Sequence, residues 1–159
     1  PTFRFGLIVL ALVTLCACSD STSPDPTPRL SLTLDGYVDE SVAEPVFRVE
    51  ATVRNTGRLE VLFPEGCPDR VGFQVEDEEG RPLSLYHPLL DLVCPPAYVH
   101  LGPGDELGAT ITLDEAFDAA GDRYPIPPGE YLVRATFAYF QEEDPEYRTI
   151  QKEMTVTLE

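Results

Sequence analysis

Six side chains in this sequence have the chemistry to hold a metal, form a crosslink or attack a substrate: Cys16, Cys18, Cys67, Cys94, His87 and His100. Zinc takes tetrahedral sets of cysteine and histidine, and Cys67, His87, Cys94 and His100 would make such a set by type. Their spacing argues against it. There is no C-x-x-C or H-x-x-x-H, and both cysteines are followed by proline. Nucleophilic catalysis needs a Ser, Cys or Thr beside a base that a third group orients. Neither histidine lies in a G-x-S-x-G or comparable context, and no glycine loop could cradle a phosphate. Carboxylates are abundant, with 28 acids against 11 bases and a net charge of −17. The stretches "EDEEG" (Glu76 to Gly80) and "QEEDPEY" (Gln141 to Tyr147) offer the hard oxygens that calcium prefers. They lack the D-x-D-x-D-G spacing, so we read them as solvated turns. Phosphate binding calls for a basic patch, so this charge excludes nucleic acid as a partner. The expectation is a protein that is not an enzyme and has no cofactor or metal.

Cys16 and Cys18 sit in "LCACSD", directly after "FRFGLIVLALVTL", in which Arg4 is the only charge. A membrane-spanning helix needs about 20 apolar residues; this run is shorter and stops at Ser19-Asp20, so it reads as an export signal. Leu15-Cys16-Ala17-Cys18 resembles the lipobox of bacterial lipoproteins, in which a large aliphatic residue stands three before the modified cysteine and a small one just before it. The resemblance implies cleavage after Ala17, diacylglyceryl transfer to the Cys18 sulfur and retention of the mature protein on a membrane. The alternative is an ordinary cleaved signal with two incidental cysteines. A single acyl chain holds a protein only marginally, whereas two or three anchor it firmly. The expected partners are therefore the membrane, through this N-terminal lipid, and an unknown protein of the bacterial cell envelope or a protease.

Residues 18–29 contain Ser, Thr, Asp and Pro but, after Ala17 and Cys18, no apolar side chain before Leu30. Such a composition cannot bury enough surface to offset its ordering entropy. Pro24, Pro26 and Pro28 favour an extended tether of about 3 Å per residue. Cys67 and Cys94 then remain as an even pair in a chain expected in an oxidising compartment, which reads as a disulfide. That bridge would contribute about 3–4 kcal/mol by loop entropy. Zinc is the rival reading, and the two histidines are otherwise ordinary loop and strand residues.

The elements that must position these groups are strands. Leu30, Leu32 and Leu34 alternate with polar residues; Phe47, Val49, Ala51 and Val53 share one face, as do Tyr131, Val133, Ala135, Phe137 and Tyr139. Period two with one apolar face is the half-buried strand pattern. Shorter candidates are 59–63, 71–76, 82–86, 97–101, 107–113 and 148–158. The turns between them are Asn55-Thr56-Gly57, Glu79-Gly80, Gly102-Pro103-Gly104-Asp105 and Pro127-Pro128-Gly129, whose residues supply positive or fixed φ. Only 113–124, with Ala116, Ala119 and Ala120 before Gly121, could hold a short helix or an irregular loop. The prediction is an all-β chain: an immunoglobulin-like antiparallel β-sandwich of about seven to nine strands over 30–159, after a signal peptide (1–17) and a disordered tether (18–29). Tyr131, at a strand start, could close a tyrosine corner.

"VRNTG" before an aliphatic strand, then "LGPGDEL" and "PPGEYLVRATF", occur in an order that resembles the BsuPI family of intracellular proteinase inhibitors, over about 49–140. The resemblance implies an immunoglobulin-like fold and, more loosely, protease inhibition. Two functions follow as expectations. The first is a lipid-anchored extracytoplasmic binding or structural module of the cell envelope. The second is an inhibitor presenting loop 86–99 ("YHPLLDLVCPPAYV"), with Tyr86, Leu89, Leu90, Leu92, Val93 and Tyr98 as candidate contacts. The competing reading of that loop is that its leucines fold inward as a plug.

Overall fold

The computed structural model describes residues 28–65, 70–86 and 97–159. Eleven strands are formed there: β1 (Leu30–Asp39), β2 (Val46–Asn55), β3 (Val61–Pro64), β4 (Gly72–Asp77), β5 (Pro82–Leu83), β6 (Tyr98–Leu101), β7 (Glu106–Thr112), β8 (Glu115–Phe117), β9 (Arg123–Pro125), β10 (Gly129–Gln141) and β11 (Asp144–Leu158). Every ladder between them is antiparallel. The described chain is all-β, as its alternation predicts, but it has eleven strands where seven to nine were expected, β8 and β9 being the additional pair.

Two larger sheets face each other. One has the order β1-β2-β7. The other is organised by β10, which pairs with β11 along one edge. Its other edge is shared between β4, opposite Tyr131 to Thr136, and β3, at Phe140 opposite Leu62. Strands β5 and β6 extend that sheet beyond β4 and β3. The predicted faces are the faces observed. Val49, Ala51 and Val53 of β2 and Tyr131, Val133, Ala135, Phe137 and Tyr139 of β10 are buried, and Phe47 is half-buried. They meet in two adjoining clusters. Phe63, Phe137 and Tyr139 from one sheet pack with Val53 and Leu107 from the other; Tyr131 and Val133 pack with Val49 and Ile111. The arrangement is a sandwich-like all-β fold.

The segment 113–124, expected as a short helix or irregular loop, is instead the β8–β9 hairpin. The reason is local. The Asp118 carboxylate accepts hydrogen bonds from the Ala120 and Asp122 amides at 2.8 and 2.9 Å. Gly121 adopts φ +89° and donates to the Asp118 carbonyl. An aspartate that bonds its own downstream backbone offers the chain a turn in place of a helix. Other boundaries move as well: β11 begins at Asp144 rather than Arg148, and β5 is only two residues long.

Asn55 is the one polar residue in the core of the described chain, fully buried where β2 ends. Its Nδ2 donates to the carbonyls of Leu59 (2.8 Å) and Leu101 (2.9 Å), and its Oδ1 accepts from the Gly57 amide (3.0 Å). Its backbone amide donates to the Asp105 carbonyl, and its carbonyl accepts from the Gly104 amide. One side chain thus ties the 55–59 turn to the β6–β7 turn. Gly57 was expected to supply a special φ, but its φ is not positive. It is needed for space, because a Cβ there would lie 2.8 Å from the Arg29 backbone nitrogen.

Candidate functional site

Of the residues singled out from sequence, Cys18, Cys67, Cys94, His87, Leu89, Leu90, Leu92 and Val93 lie outside the described residues. The two ends of the candidate loop are described. Tyr86 is 37 % exposed and Tyr98, the first residue of β6, is 51 % exposed. The Glu65 amide donates to the Ala97 carbonyl at 2.8 Å, extending the ladder that pairs Phe63 with Val99 and Pro64 with Tyr98. The chain therefore leaves β3 and returns to β6 side by side. His100 sits on β6 with its Nδ1 2.7 Å from Glu60 Oε1, both side chains more than half exposed. It is a surface strand residue, as expected.

Tyr98 is not isolated. Alternation along β10 sends Tyr139 inward and Phe140 outward. On that outer face the Phe140 ring lies 5.1 Å from Tyr98, edge-on, and 5.2 Å from Tyr147 of β11. Three strands thus build one aromatic stripe whose outer rings, Tyr98 and Tyr147, are about half exposed. A side-chain hydrogen bond with Tyr98, with a smaller contribution from desolvation, raises the Tyr147 phenol above its ordinary pKa. Edge-to-face pairs of this kind contribute about 0.5–1.5 kcal/mol beyond burial. Tyr98 was legible as a candidate in the sequence, but Phe140 and Tyr147 were not. Only the pairing of β10 with its neighbours brings them to it.

At the opposite end of the sandwich a groove of about 480 Å³ runs between the β4–β5 turn and the crossover into β10. One wall is pinned by Arg81, whose Nε lies 2.7 Å from Asp77 Oδ2 and whose guanidinium also meets Glu79 at 3.0 Å. Burial works to raise the Asp77 carboxyl pKa, but hydrogen bonds from the Arg81 amide and guanidinium outweigh it and hold the pKa below its ordinary value. The other wall is pinned by Tyr131, whose hydroxyl donates to the Pro127 carbonyl at 2.7 Å. That contact is the tyrosine corner expected from the sequence. The Glu78 carboxylate accepts from the Glu130 amide at 3.2 Å and links the walls. Tyr124 stands at the rim, 39 % exposed.

Among the described residues no three metal-ligating side chains converge, and no helix is long and apolar enough to cross a membrane. No family profile and no curated protein matches the sequence. A solved protein of Bordetella pertussis, assigned as ApaA, is similar over 81 % of this chain and 93 % of its own, at 15 % identity and a TM-score of 0.51. The likeness is one of fold. A structural-genomics target has 12 % identity over 82 % of this chain and 86 % of its own, with a TM-score of 0.45. A β-glucosidase of Erythrobacter marinus has 17 % identity over 82 % of this chain but only 15 % of its own length, with a TM-score of 0.38.

Proposed function

We propose that this chain is a non-catalytic, immunoglobulin-like binding module of a bacterial cell envelope, anchored by lipid on Cys18. The observation that carries the binding role is the exposed stripe of Tyr98, Phe140 and Tyr147. Exposed tyrosines already held in place give a partner large amphipathic contacts at low ordering cost. The tyrosine corner at Tyr131 and the sandwich-like core favour the immunoglobulin-like assignment. Leu15 to Cys18 favour the anchor. The tether enters beside the Asn55 turn, where the Thr56 amide donates to the Arg29 carbonyl at 2.8 Å. The Glu65–Ala97 hydrogen bond pairs the flanks of the two segments that carry Cys67 and Cys94, which supports a disulfide between them.

Intact-mass spectrometry of the membrane-extracted protein, with and without reduction, tests the anchor. A mass for Cys18 to Glu159 plus lipid, gaining two hydrogens on reduction, is the expected result, and Cys18→Ser should move the protein to the soluble fraction. An unacylated mass that retains the leader, with free thiols, overturns the reading. The second reading is a BsuPI-type proteinase inhibitor. It is favoured by the exposure of Tyr86 and Tyr98 at the two ends of loop 86–99. Active-site titration against serine and cysteine proteases separates the two: stoichiometric inhibition lost in Leu90→Asp supports the inhibitor, and none across the panel removes it.

A further inference from the structure

We propose that the groove between the β4–β5 turn and the 124–131 crossover receives an arginine side chain from a basic protein segment. The inference is independent of the aromatic stripe and of the membrane anchor. Its first support is shape. A space of about 480 Å³ falls in the range of ligand-sized clefts, roughly 300–1,000 Å³. Both walls are held before any ligand arrives, one by the Arg81–Asp77 pair and the other by the Tyr131–Pro127 hydrogen bond. Binding then has little loop ordering to offset.

The second support is charge. Asp77, Glu78, Glu79 and Glu130 face one cation, Arg81, which Asp77 and Glu79 already neutralise. The field left over is negative. Tyr131 responds to it: burial raises its phenol pKa most, and the nearby Asp77, Tyr124 and Glu78 raise it further. The third support is the apolar lining. Pro82, Leu83, Pro127 and the Tyr124 ring offer surface to an alkyl stem and to a flat guanidinium. Arginine stacks on aromatic faces while its fork reaches carboxylates, which a compact, strongly hydrated lysine ammonium does less well. The same end of the molecule already contains this arrangement. Arg123 lies with its Cζ 5.3 Å from the Phe117 ring centroid while its Nη1 reaches Glu115 at 3.3 Å.

The groove lies far from the point where the chain enters β1. The tether joins β1 at Leu30, opposite Asn55, and β1 runs its whole length to Asp39. At about 3.3 Å per residue that is on the order of 30 Å. Tyr131, in the groove, belongs to the core cluster at that far end, with Phe47 and Val49.

The test is titration of dye-labelled hexa-arginine amide into the mature chain at low salt, read by fluorescence anisotropy. Hexalysine, spermine and calcium serve as competitors. Tyr124→Ala removes the stacking ring and Glu130→Gln one carboxylate. Each should weaken hexa-arginine binding about 2- to 5-fold, the range of an exposed cation–π contact or a semi-exposed ion pair. Glu143→Gln removes the same charge from the distant β10–β11 turn and should change affinity less than about 2-fold. All three side chains are exposed, and unchanged thermal melting of each variant excludes misfolding. The proposal is overturned if Glu143→Gln weakens binding as much as Glu130→Gln, because binding would then reflect bulk acidity. It is also overturned if hexa-arginine does not bind, or if calcium or spermine displaces it at equal or lower concentration. Loss of the membrane anchor or of stripe-dependent binding would leave these results unchanged, so failure of the proposed function is read separately.

Discussion

Replacing Asn55 by alanine removes three hydrogen bonds from a side chain that water does not reach. The Leu101 carbonyl is the costly one. Leu101 is buried, and Asn55 Nδ2 is its partner across the β2–β6 gap at 2.9 Å. Leaving such a buried acceptor unsatisfied costs about 1–3 kcal/mol. The Leu59 carbonyl and the Gly57 amide lie where both residues are half-buried, so water can partly replace the amide, and each loss costs about 0.5–1.5 kcal/mol. The sum is about 2–6 kcal/mol, a large fraction of the 5–15 kcal/mol typical of a domain. The assay is urea unfolding of the mature chain followed by far-ultraviolet circular dichroism and by tyrosine fluorescence, which no tryptophan obscures. Thr56→Ala is the internal control. It removes the neighbouring Oγ1 bond to the Arg29 carbonyl, 3.0 Å and exposed, and should cost only about 0.5–1 kcal/mol. Asn55→Asp should be at least as damaging as Asn55→Ala, because it turns a carboxylate toward two carbonyl oxygens. If Asn55→Ala came within 1 kcal/mol of Thr56→Ala, the idea that burial makes this amide a hub would be refuted.

Tyr131→Phe keeps the ring in the core but loses the corner hydrogen bond to Pro127, an expected loss of about 1–1.5 kcal/mol by the same unfolding assay. The raised Tyr131 pKa carries a pH signature. Below the ordinary tyrosine value near 10 both states hold the proton. Above it the unfolded chain ionises first, so stability falls as pH rises through the folded value. Tyr131→Phe should flatten this alkaline limb, and an unchanged limb would show that other groups set it. Phe137→Ala, at a fully buried ring packed 5.2 Å from Phe63, should cost about 3–5 kcal/mol, with the urea midpoint as the measure. Asp118→Ala should cost under about 1 kcal/mol while speeding amide exchange specifically across β8–β9, because its carboxylate closes only that local turn.

Much of this was legible before any coordinate. Alternation along β2 and β10 is a property of the strand itself, since successive side chains must point to opposite faces; the buried set therefore follows from residue order alone. The tyrosine corner is also local: hydroxyl and acceptor are four residues apart. The lipobox resemblance and the tether composition are linear signals too. The short helix or irregular loop expected over 113–124 gave way to a hairpin because an alanine count says nothing of whether Asp118 will bond its own downstream amides.

Other features belong to register and could not be seen along the chain. Asn55 looks like any turn asparagine until the β6–β7 turn arrives 46 residues later to accept its amide. The stripe joins β6, β10 and β11, and the groove joins a hairpin after β4 to a crossover some 50 residues on. Sequence by itself determined which face of each strand is apolar, because that is set by bonding geometry between neighbours. The tertiary structure alone decided which faces and turns meet, because the free energy of those contacts comes from residues that the chain brings together only by folding.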